Sequence, residues 1–155
     1  MTVLCLGCGN SPSKEPGAVN HDLRLDPKRP WVTVAHDLNN LPWPWADNSF
    51  EQIIASAVLE HLQINLLESM NECWRILKPG GTIWIKLPYA MSERSYDDVT
   101  HYWRFGMRAL DIFDPDMKEG RKYSFYTECK WKILDPARLN DAKTSIIAML
   151  QVRKP

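Results

Sequence analysis

The apolar residues of the chain form short runs separated by glycine, proline, aspartate or asparagine. Four runs have the length of β-strands: Val3–Leu6, Trp31–His36, Phe50–Ala57 and Thr82–Pro88. After the third run, apolar residues recur with the spacing of one helix face, at Leu59, Leu62, Leu66, Met70, Cys73 and Leu77. This order of strand, helix and strand predicts a βαβ unit with parallel strands.

The predicted helix has clear marks of a beginning and an end. Asn65 followed by Glu68 matches a capping box, so we expect the helix to restart there within the periodic segment. Lys78, Pro79 and the Gly80–Gly81 pair form a stop signal, because proline cannot continue the helix and glycine permits a left-handed exit.

The last third of the chain has a different pattern. Apolar and polar residues alternate from Tyr123 to Ile133, which predicts a half-buried strand. Asp135–Thr144 has the composition of a turn, and Ser145–Val152 predicts another strand. A short helix is expected around Arg108–Phe113. Two late strands without a long helix between them indicate an antiparallel hairpin on a mostly parallel sheet.

The first two connections between strands are short. Only Ser11–Gly17 separates the first glycine turn from the second strand, and its two prolines and final glycine disfavour more than about one helical turn. Leu25–Pro30 is also too short for a full crossover helix. We therefore expect truncated helices and one thinly covered sheet face, over which the Leu41–Trp45 segment or a partner chain would fold.

Composition favours an ordinary globular chain. Its 155 residues favour one domain, residues 1–155, and 45% apolar with 25% charged residues exclude a disordered, collagen-like or coiled-coil chain. The longest apolar stretch, Ile146–Leu150, is too short for a membrane span, and the N-terminus does not read as a secretory signal. Four cysteines fit reduced thiols, and for the C-x-x-C pair Cys5 and Cys8 a structural role is favoured over zinc or redox chemistry. We expect a cytoplasmic protein without a membrane partner.

Glycines and acidic residues stand where the predicted strands end. The first strand runs into Gly7–Asn10, a turn in which glycine lets a ligand approach the backbone and where α/β sheets bind nucleotides. Pro12 stands where the dinucleotide fingerprint has its third glycine, so a nicotinamide-dependent dehydrogenase is disfavoured. Asp22 and Asp37 close the next two strands, and each carboxylate can accept hydrogen bonds from a ribose diol or an adenine amine.

Seven segments, in order, resemble the class I S-adenosylmethionine-dependent methyltransferases, in particular their small, compact-core branch. They are Leu4–Asn10, Val19–Leu23, Ala35–Leu38, Leu41–Phe50, Ala55–Leu62, Cys73–Pro88 and Thr100–Phe105. The resemblance implies a Rossmann-like α/β fold, a mostly parallel sheet with a C-terminal antiparallel hairpin. It also implies S-adenosylmethionine as the cofactor and S-adenosylhomocysteine as its product. No metal is expected, because the sulfonium loses its positive charge during methyl transfer and the reaction needs none.

The resemblance also implies twelve cofactor-binding residues, all near the carboxyl ends of the first four strands. Gly7, Cys8, Gly9 and Asn10 would line the methionine and ribose portions. Asp22 would bind the ribose hydroxyls with Leu23 beside the adenine, and Asp37 would reach the adenine amine with Leu38 nearby. Ser56, Ala57 and Val58 would border the methionine, with His61 near the pocket.

Candidate residues for the methyl acceptor follow the Thr82–Pro88 strand: Tyr89, Glu93, Tyr96, Asp97, Asp98, His101, Tyr102 and Arg104. His101 is the candidate catalytic base because imidazole titrates near neutral pH, and the other role open to it is a hydrogen bond to the helix around Arg108–Phe113. Residues 1–77 hold 5 basic and 9 acidic residues, whereas residues 78–155 hold 14 and 10. If Arg104, Arg108 and the lysines beyond them line the entrance, an anionic acceptor is expected; otherwise they form a solvated face.

Two functions remain open on the sequence. The leading hypothesis is an active methyltransferase that acts by in-line transfer on an unidentified acceptor. The alternative is a catalytically inactive S-adenosylmethionine-binding subunit whose thin sheet face docks a catalytic partner. A homo-oligomer would cover the same face.

Overall fold

A computed structural model describes all residues, 1–155, and its centre is one seven-stranded sheet. The strands are β1 (Val3–Leu6), β2 (Val19–Asp22), β3 (Val34–Ala35), β4 (Phe50–Ser56), β5 (Leu77–Pro88), β6 (Lys130–Leu139) and β7 (Ser145–Arg153). Their order is β3-β2-β1-β4-β5-β7-β6; the first five are parallel, and β7 pairs antiparallel with both β5 and β6. The predicted Rossmann-like α/β sheet with its C-terminal hairpin is confirmed.

The helices are few and short. They are α1 (Leu66–Ile76), α2 (Arg94–Asp97) and α3 (Lys118–Lys122), with 3₁₀ turns at Leu59–His61, Asp111–Phe113 and Ser124–Tyr126. The longest has 11 residues, and none has the length and apolar character needed to cross a membrane. No helix connects β1 to β2 or β2 to β3, so the predicted truncation of the first helices is confirmed.

The periodic segment Leu59–Leu77 is not one helix. A 3₁₀ turn over Leu59–His61 ends in the extended backbone of Leu62, and α1 restarts four residues later. The predicted capping box starts it: the Glu68 amide donates to Asn65 Oδ1 over 3.0 Å, and the Asn65 amide donates to Glu68 Oε2 over 2.9 Å. The helix then ends at Ile76, and β5 begins at once rather than at the predicted Thr82.

Three further sequence predictions are wrong in detail. The predicted strand Trp31–His36 shrinks to β3, because Trp31 turns away and its indole Nε1–H donates to the Gly9 carbonyl over 2.9 Å. The late strand begins at Lys130 rather than Tyr123 and continues with register shifts to Leu139, through half of the predicted turn. The helix expected around Arg108–Phe113 is a single 3₁₀ turn, Asp111–Phe113.

The two faces of the sheet are covered unequally. The face on the α1 side carries a core of 25 buried residues, including Trp43 and Phe113. On the other face Ile54, Trp84 and Met149 are neighbours in register and only partly buried. A small cluster around Cys5, Cys8 and Val32 covers only one part of that face, near β1. The thin face expected from the short connections is therefore present.

The tryptophan-rich segment Leu41–Trp45 does not cover the thin face. Trp43 is 2% exposed and belongs to the core on the α1 side, where its indole Nε1–H donates to the Leu38 carbonyl over 2.9 Å. Arg75 of α1 fastens the segment by donating to the carbonyls of Trp43 and Trp45 and to the Glu72 and Asp47 carboxylates. This arrangement leaves the strand ends beside it open for a site.

Candidate active site

A pocket of about 420 Å³ lies at the carboxyl ends of β1 to β4. This volume is in the range of small-ligand sites, about 300–1,000 Å³. We call it the strand-end pocket. Nine of the twelve predicted cofactor residues line it: Gly7, Gly9, Asp22, Leu23, Asp37, Leu38, Ala57, Val58 and His61. Five lining residues were missed by the sequence analysis: His21, Arg29, His36, Asn39 and Leu62.

The glycine turn after β1 forms one wall of this pocket with bare backbone. Gly7 and Gly9 have φ angles of 55° and 50°, a region that side-chain-bearing residues rarely adopt. A Cβ on Gly7 would lie 2.5 Å from Val58 Cγ2, so that glycine is needed for packing. A Cβ on Gly9 would meet no atom nearer than the Gly7 carbonyl oxygen at 4.0 Å. Gly9 therefore leaves space in which a ligand can approach the main chain.

His21 holds the glycine turn against the end of β3. The Gly7 amide donates to His21 Nδ1 over 3.2 Å, so the ring proton is on Nε2, which donates to the His36 carbonyl over 2.9 Å. The residue is 1% exposed, and burial holds its pKa below the ordinary value. The sequence offers one signal for this role, since a His-Asp pair closes both β2 and β3.

The carboxylate of Asp22 accepts three hydrogen bonds within the chain. Its Oδ1 accepts from the Leu23 amide over 2.7 Å, and its Oδ2 accepts from the Gly9 amide over 3.1 Å. Arg29 also donates to Oδ2, over 2.6 Å, from a side chain that is 19% exposed. Oδ1 can accept one more hydrogen bond, so a ribose diol that binds both carboxylate oxygens must share or displace the arginine at Oδ2. The neighbouring acidic residue is freer: Asp37 Oδ1 accepts from the Asn39 amide over 2.9 Å, and its Oδ2 accepts no hydrogen bond within the chain.

Three predicted cofactor residues lie outside the lining of the pocket. Cys8 is buried behind the turn with Cys5 and Val32, and desolvation raises the pKa of its thiol to about 11. Asn10 and Ser56 are exposed near the same strand ends but do not line the pocket.

A second cavity of about 320 Å³ adjoins the strand-end pocket. Ala57 and His61 line both, and the remaining wall includes Glu60, Lys86, Arg94, Asp98 and His101. His101 comes from a loop fastened to the turn after β4, because the Tyr102 amide donates to the Glu60 carbonyl over 2.8 Å and the Trp103 indole donates to the Leu62 carbonyl over 2.8 Å. The imidazole centroids of His61 and His101 are 4.7 Å apart. Burial lowers the pKa of His61, and the charge of His101 lowers it further.

The basic residues predicted to line the entrance lie elsewhere. Arg104 stacks on the Tyr96 ring, 4.3 Å from its centroid, and Arg108 is paired with the Asp111 and Glu119 carboxylates. His101 does not bond to the helix expected near Arg108 either; its Nδ1 lies 3.1 Å from the Ser95 carbonyl oxygen. The cations that do line the second cavity are Lys86 and Arg94.

Comparison with known proteins identifies the class. The family model described as a methyltransferase domain matches residues 4–85, more than half of the chain. The chain belongs to this family, the class I S-adenosylmethionine-dependent methyltransferases. No curated protein sequence is significantly similar to it.

Solved structures share the fold at low sequence identity. The chain is similar to a SAM-dependent methyltransferase from Archaeoglobus fulgidus, with a TM-score of 0.62, 16% identity and coverage of 98% of this chain and 86% of the other. It is similar to Burkholderia thailandensis 1,6-didemethyltoxoflavin-N1-methyltransferase, solved with 1,6-didemethyltoxoflavin and S-adenosylhomocysteine, with a TM-score of 0.65, 14% identity and coverage of 99% and 71%. A third match, from the complex between the Haloferax volcanii Trm112 methyltransferase activator and a methyltransferase, has a TM-score of 0.63, 13% identity and coverage of 99% and 83%.

Proposed function

We propose that the chain is an enzyme that binds S-adenosylmethionine in the strand-end pocket and methylates an acceptor held in the second cavity. The observation that carries this proposal is the wall shared by the two cavities, formed by Ala57 and His61. A ligand in one cavity would therefore lie next to a ligand in the other, as alignment of an acceptor with a methyl group requires.

The residues of the strand-end pocket fit this cofactor. The exposed backbone at Gly9 suits the methionine and ribose portions, and the free Oδ2 of Asp37 suits an adenine amine. Asp22 fits the ribose diol once Arg29 no longer occupies a hydrogen-bonding position on the Asp22 carboxylate. Cys8, Asn10 and Ser56 would act through the backbone of the turn and the strand end.

Methyl transfer depends on the positioning of the reactants more than on the stabilisation of charge. S-adenosylmethionine supplies a methyl group on a sulfonium: the acceptor atom bonds to the methyl carbon, the carbon–sulfur bond breaks and sulfur keeps the electron pair. In-line alignment can contribute about 7–11 kcal/mol to the barrier reduction. His101 is the proposed catalytic residue for an acceptor that must lose a proton, because Nδ1–H donation to Ser95 leaves the Nε2 lone pair facing Glu60 and Asp98.

Lys86 and Arg94 favour an acceptor that carries an anionic group, such as a carboxylate or a phosphate. With such an acceptor, kcat/KM should fall as ionic strength rises, because exposed charges are screened beyond about 8–10 Å. A kcat/KM that is independent of salt would contradict an anionic acceptor without contradicting methyl transfer.

The direct test is a screen of acceptor classes that detects S-adenosylhomocysteine. We expect calorimetry to show micromolar binding of S-adenosylmethionine to the isolated chain, and turnover with at least one acceptor class. No binding at millimolar ligand would contradict the proposed function.

A second function is favoured by the thin sheet face with its row Ile54, Trp84 and Met149. The chain would then be an inactive cofactor-binding subunit that docks a catalytic partner, and a neighbour of the same fold is known in a complex with the activator Trm112. Binding of S-adenosylmethionine without turnover in any acceptor screen supports this alternative. The mass of the pure chain, measured by light scattering, tests whether a second copy covers this face. A dimer would support a second copy, and a monomer would mean that a different protein is the partner.

A further inference from the structure

Glu60 has a buried carboxylate that accepts no hydrogen bond from any other residue. Its side chain is 2% exposed, and Oε2 accepts no hydrogen bond. The nearest group that can carry positive charge is the His101 imidazole, whose Nε2 lies 4.0 Å from Oε1. Burying a carboxylate without donors is unfavourable, so this group is expected to have either a proton or a cation as its partner. Desolvation raises its pKa to about 7.

The two neighbouring imidazoles are oriented by acceptors on their Nδ1 side. His101 Nδ1 lies 3.1 Å from the Ser95 carbonyl oxygen, which can only accept, so Nδ1 carries a proton. The Thr100 hydroxyl donates to Asp98 Oδ1 over 2.6 Å and therefore accepts from His61 Nδ1–H over 2.9 Å. In the neutral form of each ring, Nδ1–H is bonded and Nε2 keeps its lone pair. This is the arrangement of histidines that bind metals.

We propose that Glu60, His61 and His101 form a binding site for a divalent transition-metal ion at the wall between the two cavities. One donor atom from each side chain lies within 4.8 Å of the other two. Bonds of about 2.0–2.1 Å place the donors of a tetrahedral site about 3.4 Å apart, so the three side chains must close by small rotations. Two imidazoles with one carboxylate suit zinc and iron rather than magnesium or calcium.

Such an ion would define the acceptor more narrowly, a step that rests on the proposed function. Three protein ligands leave at least one position open to a substrate oxygen. A cation there lowers the pKa of a bound hydroxyl, which favours an alcohol or phenol as the methyl acceptor. In this arrangement His101 is a metal ligand rather than the base. Lys86 and Arg94 remain free to bind an anionic group of the same molecule.

The chain has four histidines, which makes the site directly observable. In long-range ¹H–¹⁵N spectra of histidine-labelled wild type, equimolar Zn²⁺ is expected to shift the Nε2 signals of His61 and His101. His21 and His36 are the internal controls, and the signals are assigned from His36→Gln, His61→Gln and His101→Gln variants, with His21 as the remaining signal. Unmoved signals of His61 and His101 at millimolar Zn²⁺ would overturn the site and leave Glu60 as a buried protonated acid.

Two variants test the ligand set by calorimetry with Zn²⁺. Glu60→Gln and His101→Gln should each weaken binding at least tenfold, while the control His36→Gln should bind as wild type. Glu60→Gln replaces an unpaired buried carboxylate with a neutral amide, so its thermal unfolding is expected near that of wild type. Unchanged Zn²⁺ affinity in both variants would refute the site. S-adenosylhomocysteine binding to wild type, measured with the metal chelated, separates the two proposals. Its absence counts against the proposed function, whereas wild type that binds S-adenosylhomocysteine but not Zn²⁺ counts against the metal site alone.

Discussion

Arg29 and Asp22 form an ion pair at the edge of the strand-end pocket, with 2.6 Å between Nη1 and Oδ2. The arginine occupies a lone pair that a ribose hydroxyl would need, so we predict that it competes with the cofactor. Arg29→Met should tighten S-adenosylhomocysteine binding about fivefold, since a partly exposed pair of this kind contributes about 1 kcal/mol. Calorimetry at low salt gives the measurement. Weaker binding in the variant would mean that the arginine helps to hold the ligand.

The two acidic residues at the ends of β2 and β3 should differ in their effect on binding. Asp22→Ala is expected to weaken S-adenosylhomocysteine binding roughly ten- to a hundredfold. Charged hydrogen bonds contribute about 1.5–3 kcal/mol each and a diol can make two, but water replaces them in part in the variant. Asp37→Ala should cost less, because only one amine contact is lost. Asp26→Ala is the control, since Asp26 pairs with Arg29 but does not line the pocket. Wild-type affinity in Asp22→Ala would contradict the ribose assignment.

Several features of this fold are determined by residues that lie close together in the sequence. The capping box at Asn65, the stop after Ile76 and the glycine turn after β1 each depend on residues a few positions apart, and all three were predictable. The sequence analysis began the late strand too early, at Tyr123. Exposed aromatic residues in this segment give the same alternation of apolar and polar positions as a half-buried strand. Tyr123 and Tyr126 stack with centroids 5.2 Å apart in a 3₁₀ turn, outside the sheet.

Arg29 and Glu60, which the sequence analysis did not assign to the site, reach it through contacts between distant segments. Arg29 reaches Asp22 only because the chain after β2 turns back instead of forming a helix. His101 meets Glu60, 41 positions earlier, through the hydrogen bond from the Tyr102 amide to the Glu60 carbonyl. No periodicity or spacing encodes such a meeting, so the buried cluster was visible only in the structure.

His21 should make the free energy of unfolding depend on pH. Its folded pKa is below the unfolded value of about 6.5, so its contribution is complete above that pH and is lost as the pH falls toward the folded pKa. Burial causes this shift; the hydrogen bond to the His36 carbonyl and the charge of Asp22 oppose it, and the charge of the His36 ring adds a smaller effect in the same direction as burial. Denaturant unfolding from pH 8 to 5 should show wild type losing at most about 1.4 kcal/mol per pH unit from this group. His21→Gln should be less stable at pH 8, and the difference should narrow on acidification; parallel profiles would contradict the assignment.

Variants of three glycines with positive φ allow the effects of backbone strain, packing and ligand binding to be measured separately. Gly7→Ala, Gly9→Ala and Gly17→Ala all place a side chain in the left-handed region, at a cost of about 1–2 kcal/mol. Only Gly7→Ala also drives a Cβ to 2.5 Å from Val58 Cγ2, so its loss of unfolding free energy should clearly exceed that of Gly17→Ala, where no atom lies within 4 Å. Adding Val58→Ala should recover part of that excess.

Gly9→Ala should instead affect the ligand. Its Cβ would make one unstrained contact, with the Gly7 carbonyl oxygen at 4.0 Å, so its unfolding free energy should match that of Gly17→Ala, measured by chemical denaturation. The added methyl group would project beside a backbone that lines the strand-end pocket, so S-adenosylhomocysteine binding should fall at least tenfold. Gly17 lies outside that lining, and Gly17→Ala should bind as wild type. Equal affinities in the Gly9→Ala and Gly17→Ala variants would mean that the cofactor does not approach this turn.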